Sequence, residues 1–342
     1  MKAMLLNKVV DLASNSSPLK LSEVPIPVYD ENELLIRVSC CGVCHTELDE
    51  IEGRTPPPQF PVIPGHQVVG IVEDTGAKVT RFKKGDRVGV AWIHSACGIC
   101  EFCQNGMENL CKNFLATGRD RNGGYAEFMT INENFAYRIP EIFSDSEAAP
   151  LLCAGAIGYR SLMLTKINNG ENIGLTGFGA SAHLVLMLVK NLFPKSQIFV
   201  FARSQTEREF AKELGAVWAG DSEDHSPEKL SAIIDTTPAW KPIVEALKNL
   251  KHEGRLVINA IRKEENDKEY LLKLNYPEHL WSEKEIKSVS NVTRKDVEEF
   301  LNIAASIPIK PELEEYKLED ANKALIELKS KRVRGAKVLK NF

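Results

Sequence analysis

Little in this chain points toward a membrane or a polyanion. No apolar run in its 342 residues approaches the roughly 20 needed to span a bilayer. The opening MKAMLLNKVV turns polar too soon for a secretory signal, so a cytoplasmic protein is expected, with no membrane partner. Lys and Arg number 43 against 47 Asp and Glu, a formal net charge of -4. That balance gives no electrostatic case for nucleic acid. Internal repeats and low-complexity tracts are absent. No cysteine follows Cys153. The eight cysteines up to and including it form two groups and one singleton, and a reducing compartment favours metal or catalytic use over disulfides.

The length suits two domains rather than one core. Residues 1–150 are rich in glycine, proline and short β-branched runs such as ELLIRVSCCGVC, VVGIVEDTG and DRVGVAW, which predicts a region of small strands. The texture changes near Ala148, and residues 153–170 read as helix. Strand-like and helix-like segments then alternate: NIGLTG with ASAHLVLMLVKNL, QIFVFA with TEREFAKELG, AIIDTT with PIVEALKNL, then GRLVINA. Alternation of this kind predicts a parallel sheet covered by helices on both faces. The tail adds two amphipathic helices, VEEFLNIAASI and LEDANKALIELKSKR, and a short strand, AKVLK.

Cys97, Cys100, Cys103 and Cys111 lie in WIHSACGICEFCQNGMENLCKN. Two-residue gaps let adjacent thiolates turn back onto one ion, and the longer gap closes the loop. Zinc held by four thiolates has every tetrahedral position filled, so this is a candidate structural site. A redox CxxC does not need the third and fourth cysteine.

The stretch GLTGFGASAH contains Gly177, Gly179, Ala180 and Ser181 as GxGxxA between a predicted strand and a predicted helix. Glycine permits a tight turn and close approach of backbone to a pyrophosphate seated on a helix N-terminus. The next strand ends FVFARS. An NAD site usually carries an acid there to bond the ribose hydroxyls. Ala202 stands in that place, followed by Arg203 and Ser204, which suit the added phosphate of NADP(H). NAD(H) is the alternative.

Cys44, His66 and Cys153 are a candidate set of three ligands that would leave a fourth position for water or substrate, the open form of a catalytic zinc. Spacing alone does not decide this, because a single histidine on an apolar run is more often a core residue. Gly65 and Gly70, which flank it in PGHQVVG, read as turn residues.

Taken together, GVCHTELD, GHQVVGIVEDTGAKV, LLCAG, CGICEFCQNGMENLC and GLTGFGASAH resemble the zinc-dependent medium-chain alcohol dehydrogenases, in the cinnamyl-alcohol and short-chain alcohol dehydrogenase branch, over essentially the whole chain. The resemblance implies an α/β protein. A GroES-like β-rich catalytic domain would span 1–152 and 292–342, a Rossmann domain with a doubly wound parallel sheet 153–291, and the active site the cleft between them. It implies two zinc ions per chain, with Cys44, His66 and Cys153 at the catalytic one. Thr46 would take the alcohol proton, His45 would face the cofactor pyrophosphate, and Glu47 would orient the histidine ligand. Trp92 matches a position that often lines the substrate pocket. The implied reaction moves a hydride between a small alcohol or aldehyde and NADP(H) through a zinc-bound alkoxide, in a homo-oligomer, tetramer rather than dimer. A non-catalytic scaffold and a zinc-independent quinone reductase are the competing readings.

Three positions depart from the family pattern. Gln67 replaces a frequent glutamate. Asp49 replaces a histidine that passes the proton onward, and is a weaker base near neutral pH. Near the C-terminus Ala336 stands where an arginine often approaches the phosphates, with Arg332, Arg334 and Lys337 as neighbouring candidates.

Overall fold

A computed structural model describes every residue but Pro308, 331–334 and Phe342. Arg332 and Arg334, two of the candidates for the phosphate contact, therefore lie outside the described residues. Contacts divide the chain into Met1–Cys153 with Thr293–Phe342, and Ala154–Val292. The expected division falls one residue earlier at both crossings.

The strand Glu33–Val43 organises the first unit. Its sequence, ELLIRVSCCGV, carries β-branched and thiol side chains buried on both faces. Along one edge it pairs with Val68–Thr75. Along the other it pairs first with Phe128–Asn132 and then with Ala336–Lys340, all antiparallel. The full path runs Leu313–Lys317, Ala336–Lys340, Glu33–Val43, Val68–Thr75, Arg87–Val90, Ala136–Arg138. Leu34, Ile36, Val38, Val72, Val88 and Ile131 pack in its core. This arrangement delivers Cys44 from the end of one strand and His66 from the approach to its neighbour. Gly70 is not a turn residue. It sits within Val68–Thr75, opposite Val38, where a Cβ would come to 2.4 Å from the Arg37 carbonyl oxygen.

The second unit carries six parallel strands in the order Trp218–Gly220, Ile198–Phe201, Ile173–Thr176, Leu230–Asp235, Leu250–Ile258, Glu285–Ser288. Numbered along the chain this is 3-2-1-4-5-6, the doubly wound nucleotide-binding order, with its switch point between the first and fourth strands. The helix Ala180–Leu192 is apolar nearly all round, and Leu184, Val185, Leu186, Leu188 and Val189 are fully buried. The two outer strands were not expected. WAG is short, and EIKS is exposed along its length, so neither shows the apolar run that marks a buried parallel strand.

The helical run Asp145–Thr165 is long and apolar enough, by length and composition, to cross a membrane, and 67% of its most apolar window is buried inside the protein. Asp145, Glu147 and Arg160 interrupt it as a sequence run. A helix this deeply covered is a core helix on packing grounds.

Candidate metal centres and dinucleotide loop

Cys44 follows the strand Glu33–Val43 and caps the helix His45–Ile51. Its backbone is extended at φ -137, its Sγ accepts from the Thr46 N–H at 3.3 Å, and Glu47 reaches back to the Cys44 N–H at 2.8 Å. This is a capping box with cysteine in the serine position. The sequence C-H-T-E held that signal.

Glu47 has a second task. Its other oxygen lies 2.6 Å from His66 Nδ1, and both side chains are buried. A carboxylate there holds the proton on Nδ1 and leaves the Nε2 lone pair free. That Nε2 lies 3.6 Å from Cys44 Sγ and 3.3 Å from Cys153 Sγ. The three ligand atoms fall within 4.8 Å of one another. Gly65 makes the bend before His66 possible: its φ is +98, and a Cβ would strike the Tyr125 ring at 2.3 Å. Cys153 arrives on a π-helical turn, Leu151–Gly155, inserted between two α-helices. Such turns often mark functional positions.

Electrostatics favour a cation here. The neighbouring Cys153 thiol, burial and the Glu47 carboxylate push the Cys44 thiol well above its ordinary range. Burial opposes a charged His66, but Glu47 and Cys44 outweigh it and raise the imidazole. Two thiols, one oriented imidazole and a buried carboxylate suit a divalent ion of zinc type. Glu50 feels the same crowding. It is buried, both its carboxyl oxygens lack a hydrogen-bond partner among the described residues, and burial followed by Glu47 pushes it well above the carboxylate range. Nothing in the sequence separates Glu50 from a solvent-facing helix residue.

The remaining candidates fall into different settings. Thr46 is half-buried on the first turn beside Cys44, and His45 is exposed. Asp49 is buried and accepts from Arg54 Nε at 2.6 Å. Arg54 is thus the charged partner of that carboxylate. Gln67 is buried against Gly42, and its Nε2 lacks a partner among the described residues. Trp92 is half-buried, packs on Phe114 with ring centroids 5.3 Å apart, and joins the core of its unit.

Cys97, Cys100, Cys103 and Cys111 converge in the same way, all four Sγ atoms within 4.8 Å of one another. Backbone N–H groups of Ile99 and Cys100 aim at Cys97 and lower its thiol to about 6. Burial pushes Cys103 up to about 12. Four thiols converging at this spacing suit a metal of zinc type.

In the second unit, Gly177 ends the first strand with φ +74, and Gly179 precedes the helix Ala180–Leu192 without any side-chain cap. Nothing lies within 4 Å of where a Gly179 Cβ would project. The 13-residue helix that follows has no side-chain cap at its N-terminus, the end of a helix that suits a pyrophosphate. Ser181 Oγ is turned elsewhere, donating to the Ala154 carbonyl at 3.0 Å. Arg203 and Ser204 are exposed at the end of the second strand. Arg208, which the sequence reading missed, holds that strand end by donating to the Ala202 carbonyl at 2.7 Å and the Arg203 carbonyl at 3.1 Å. Lys337 is withdrawn from any phosphate contact. Its side chain is fully buried, with Nζ bound to Glu314 at 2.5 Å, to Glu327 at 2.8 Å and to the Tyr316 hydroxyl.

Residues 30–141 match the alcohol dehydrogenase GroES-like domain family. The chain is 41% identical to the "Probable alcohol dehydrogenase AdhA" of Mycobacterium tuberculosis over 330 residues, covering 95% of this chain and 93% of that one. It is 32% identical to an alcohol dehydrogenase of Geobacillus stearothermophilus, with 94% and 95% covered. Among solved structures, a cinnamyl alcohol dehydrogenase of Sorghum bicolor superposes with a TM-score of 0.86 at 28% identity, covering 99% of this chain and 97% of that one.

Proposed function

The chain belongs to the zinc-type medium-chain alcohol dehydrogenase family, and from that premise we propose that it interconverts a small alcohol and its aldehyde or ketone, with zinc at Cys44, His66 and Cys153 and with NADP(H) in preference to NAD(H). The observation that carries the reading is the convergence of two thiols on an imidazole whose other nitrogen is fixed by Glu47.

When bound, zinc supplies Lewis acidity at the substrate oxygen, and the nicotinamide supplies or accepts the hydride. The protein's own residues do the rest. Cys44, His66 and Cys153 would hold the metal and leave a position for the substrate oxygen. Glu47 keeps the His66 proton on Nδ1. The Thr46 hydroxyl, on the turn beside Cys44, accepts the alcohol proton and returns it in reduction. Because Asp49 is engaged by Arg54, the proton's onward path from Thr46 runs to solvent. Gly177, Gly179 and Ala180 admit the pyrophosphate to the helix N-terminus. Arg203 and Ser204 recognise the extra phosphate of NADP(H), where an acid would repel it. Cys97, Cys100, Cys103 and Cys111 would hold a second zinc, which would then serve to fasten their lobe.

A homo-oligomer, tetramer rather than dimer, completes the proposal. It is supported by the exposed edge strand Glu285–Ser288 and by exposed Leu272, Tyr276 and Trp281 in the segment before it, since an unpaired edge and apolar surface invite a second copy. Eight cysteines without a disulfide are consistent with a cytoplasmic location. The test is a panel of alcohols and aldehydes assayed with both dinucleotides, alongside zinc analysis. The expected result is turnover with NADPH ahead of NADH and about two zinc ions per chain. Absence of turnover with either dinucleotide would overturn the reading.

A further inference from the structure

We propose that Lys263 is a positioning residue for the dinucleotide, fixing the segment that follows the strand Leu230–Asp235 and seats Gly177. The inference rests on the coenzyme reading above and adds to it a residue far from the glycine loop in sequence.

Lys263 is nearly buried at 8% side-chain exposure, and its partner Asp235 is fully buried. Its Nζ donates to Asp235 Oδ2 at 2.5 Å, to the Thr237 carbonyl at 2.6 Å and to the Ala239 carbonyl at 3.2 Å. All three ammonium protons are thereby used. The other Asp235 oxygen accepts from Thr176 Oγ1 at 2.5 Å and from Thr237 Oγ1 at 2.8 Å. One buried ion pair thus ties together the ends of the first and fourth strands, which flank the switch point where doubly wound sheets bind their ligands.

The segment it holds is pressed against the glycine loop. Thr236 N–H and Oγ1 both donate to the Thr176 carbonyl, at 3.0 and 2.9 Å. A Cβ on Gly177 would lie 3.0 Å from Thr236 Oγ1 and 3.0 Å from Thr237 Cγ2. The turn at Gly177 therefore has a wall on one side, and Lys263 sets where that wall stands. A buried ion pair is a poor way to add stability, because desolvation offsets its Coulomb gain. Fixing geometry beside a ligand site is a better account of why a fully bonded lysine stands here.

The test compares the wild type with Lys263→Met and with the double variant Lys263→Met/Asp235→Asn. The double variant relieves the unpaired buried charge that Lys263→Met leaves, so it carries the test if the single variant folds poorly. Dissociation constants for NADPH and NADH are read by fluorescence titration, kcat at saturating coenzyme, and zinc content by metal analysis. Both variants should bind both dinucleotides about tenfold more weakly, to the same extent, with zinc content unchanged and kcat at saturating coenzyme largely kept. Wild-type dissociation constants in the folded single variant, or their return in the double variant, overturn the role. A wild type that binds neither dinucleotide overturns the coenzyme reading itself, and this role with it.

Discussion

The Glu47 carboxylate lies 2.6 Å from His66 Nδ1 while its second oxygen accepts the Cys44 N–H at 2.8 Å. One side chain therefore orients one candidate ligand and anchors the backbone of another. Glu47→Gln keeps the size and loses the charge that holds the imidazole tautomer. Zinc affinity, measured by competition with a chelator, should fall by about 10–100-fold, and kcat should fall with it. A variant that retains both would detach Glu47 from the metal site.

Removing a ligand outright is the harsher test. Cys44→Ala or His66→Ala should abolish turnover and lower zinc content by one ion per chain, with circular dichroism unchanged. Near-wild-type activity in either variant would show the assignment of the open metal site to be wrong.

The proposed preference for NADP(H) rests on Arg203 and Ser204, exposed at the end of the second strand of the Rossmann unit. Arg203→Ala should raise KM for NADPH much more than KM for NADH, because only the former carries the phosphate that a guanidinium grips. Equal changes, or a wild type that prefers NADH, would sink the NADP reading.

Gln67 is buried where a charge would be costly. Gln67→Glu places a carboxylate on the residue next to the candidate ligand His66 and should alter turnover while zinc content stays constant. Unchanged turnover would mark the position as silent in the reaction.

His94 gives the fold a built-in acid sensitivity. Burial, and after it Arg121, hold its imidazole down to about 4. An unfolded histidine titrates near 6.5. Between these values the unfolded chain binds the extra proton, so the stabilisation is complete above about pH 6.5 and is lost as pH falls toward 4. The full effect is on the order of 3 kcal/mol. Urea midpoints should drop across that window in the wild type and drop less in His94→Gln. Parallel pH profiles would rule His94 out as the cause.

Much of this was legible in the chain because the informative residues are close together. Four cysteines within one lobe announce a thiolate cluster, and GFGASA between a strand and a helix announces its turn. The alternation of apolar strands and amphipathic helices predicts the parallel sheet. What escaped is carried by residues that look ordinary alone. Asp235 and Lys263 stand far apart in the sequence and meet only in the fold. The strands EIKS and LEEYK are polar because they are edges, where charge discourages further pairing. Gly70 reads as a turn because the carbonyl that excludes its side chain belongs to another strand. Asp49 reads as a base because nothing in the sequence shows that Arg54 occupies it.

The placement of Ala336–Lys340 bears on how this protein is made. It pairs with the last residues of the strand that Cys44 follows, Lys337 opposite Val43 and Val338 opposite Gly42. During synthesis that partner emerges nearly three hundred residues later, after the whole of Ala154–Val292. The contiguous nucleotide-binding unit can fold as it leaves the ribosome, whereas the thiol-bearing sheet waits for its closing strand. The sheet that presents Cys44 is therefore complete only once Ala336–Lys340 has been made.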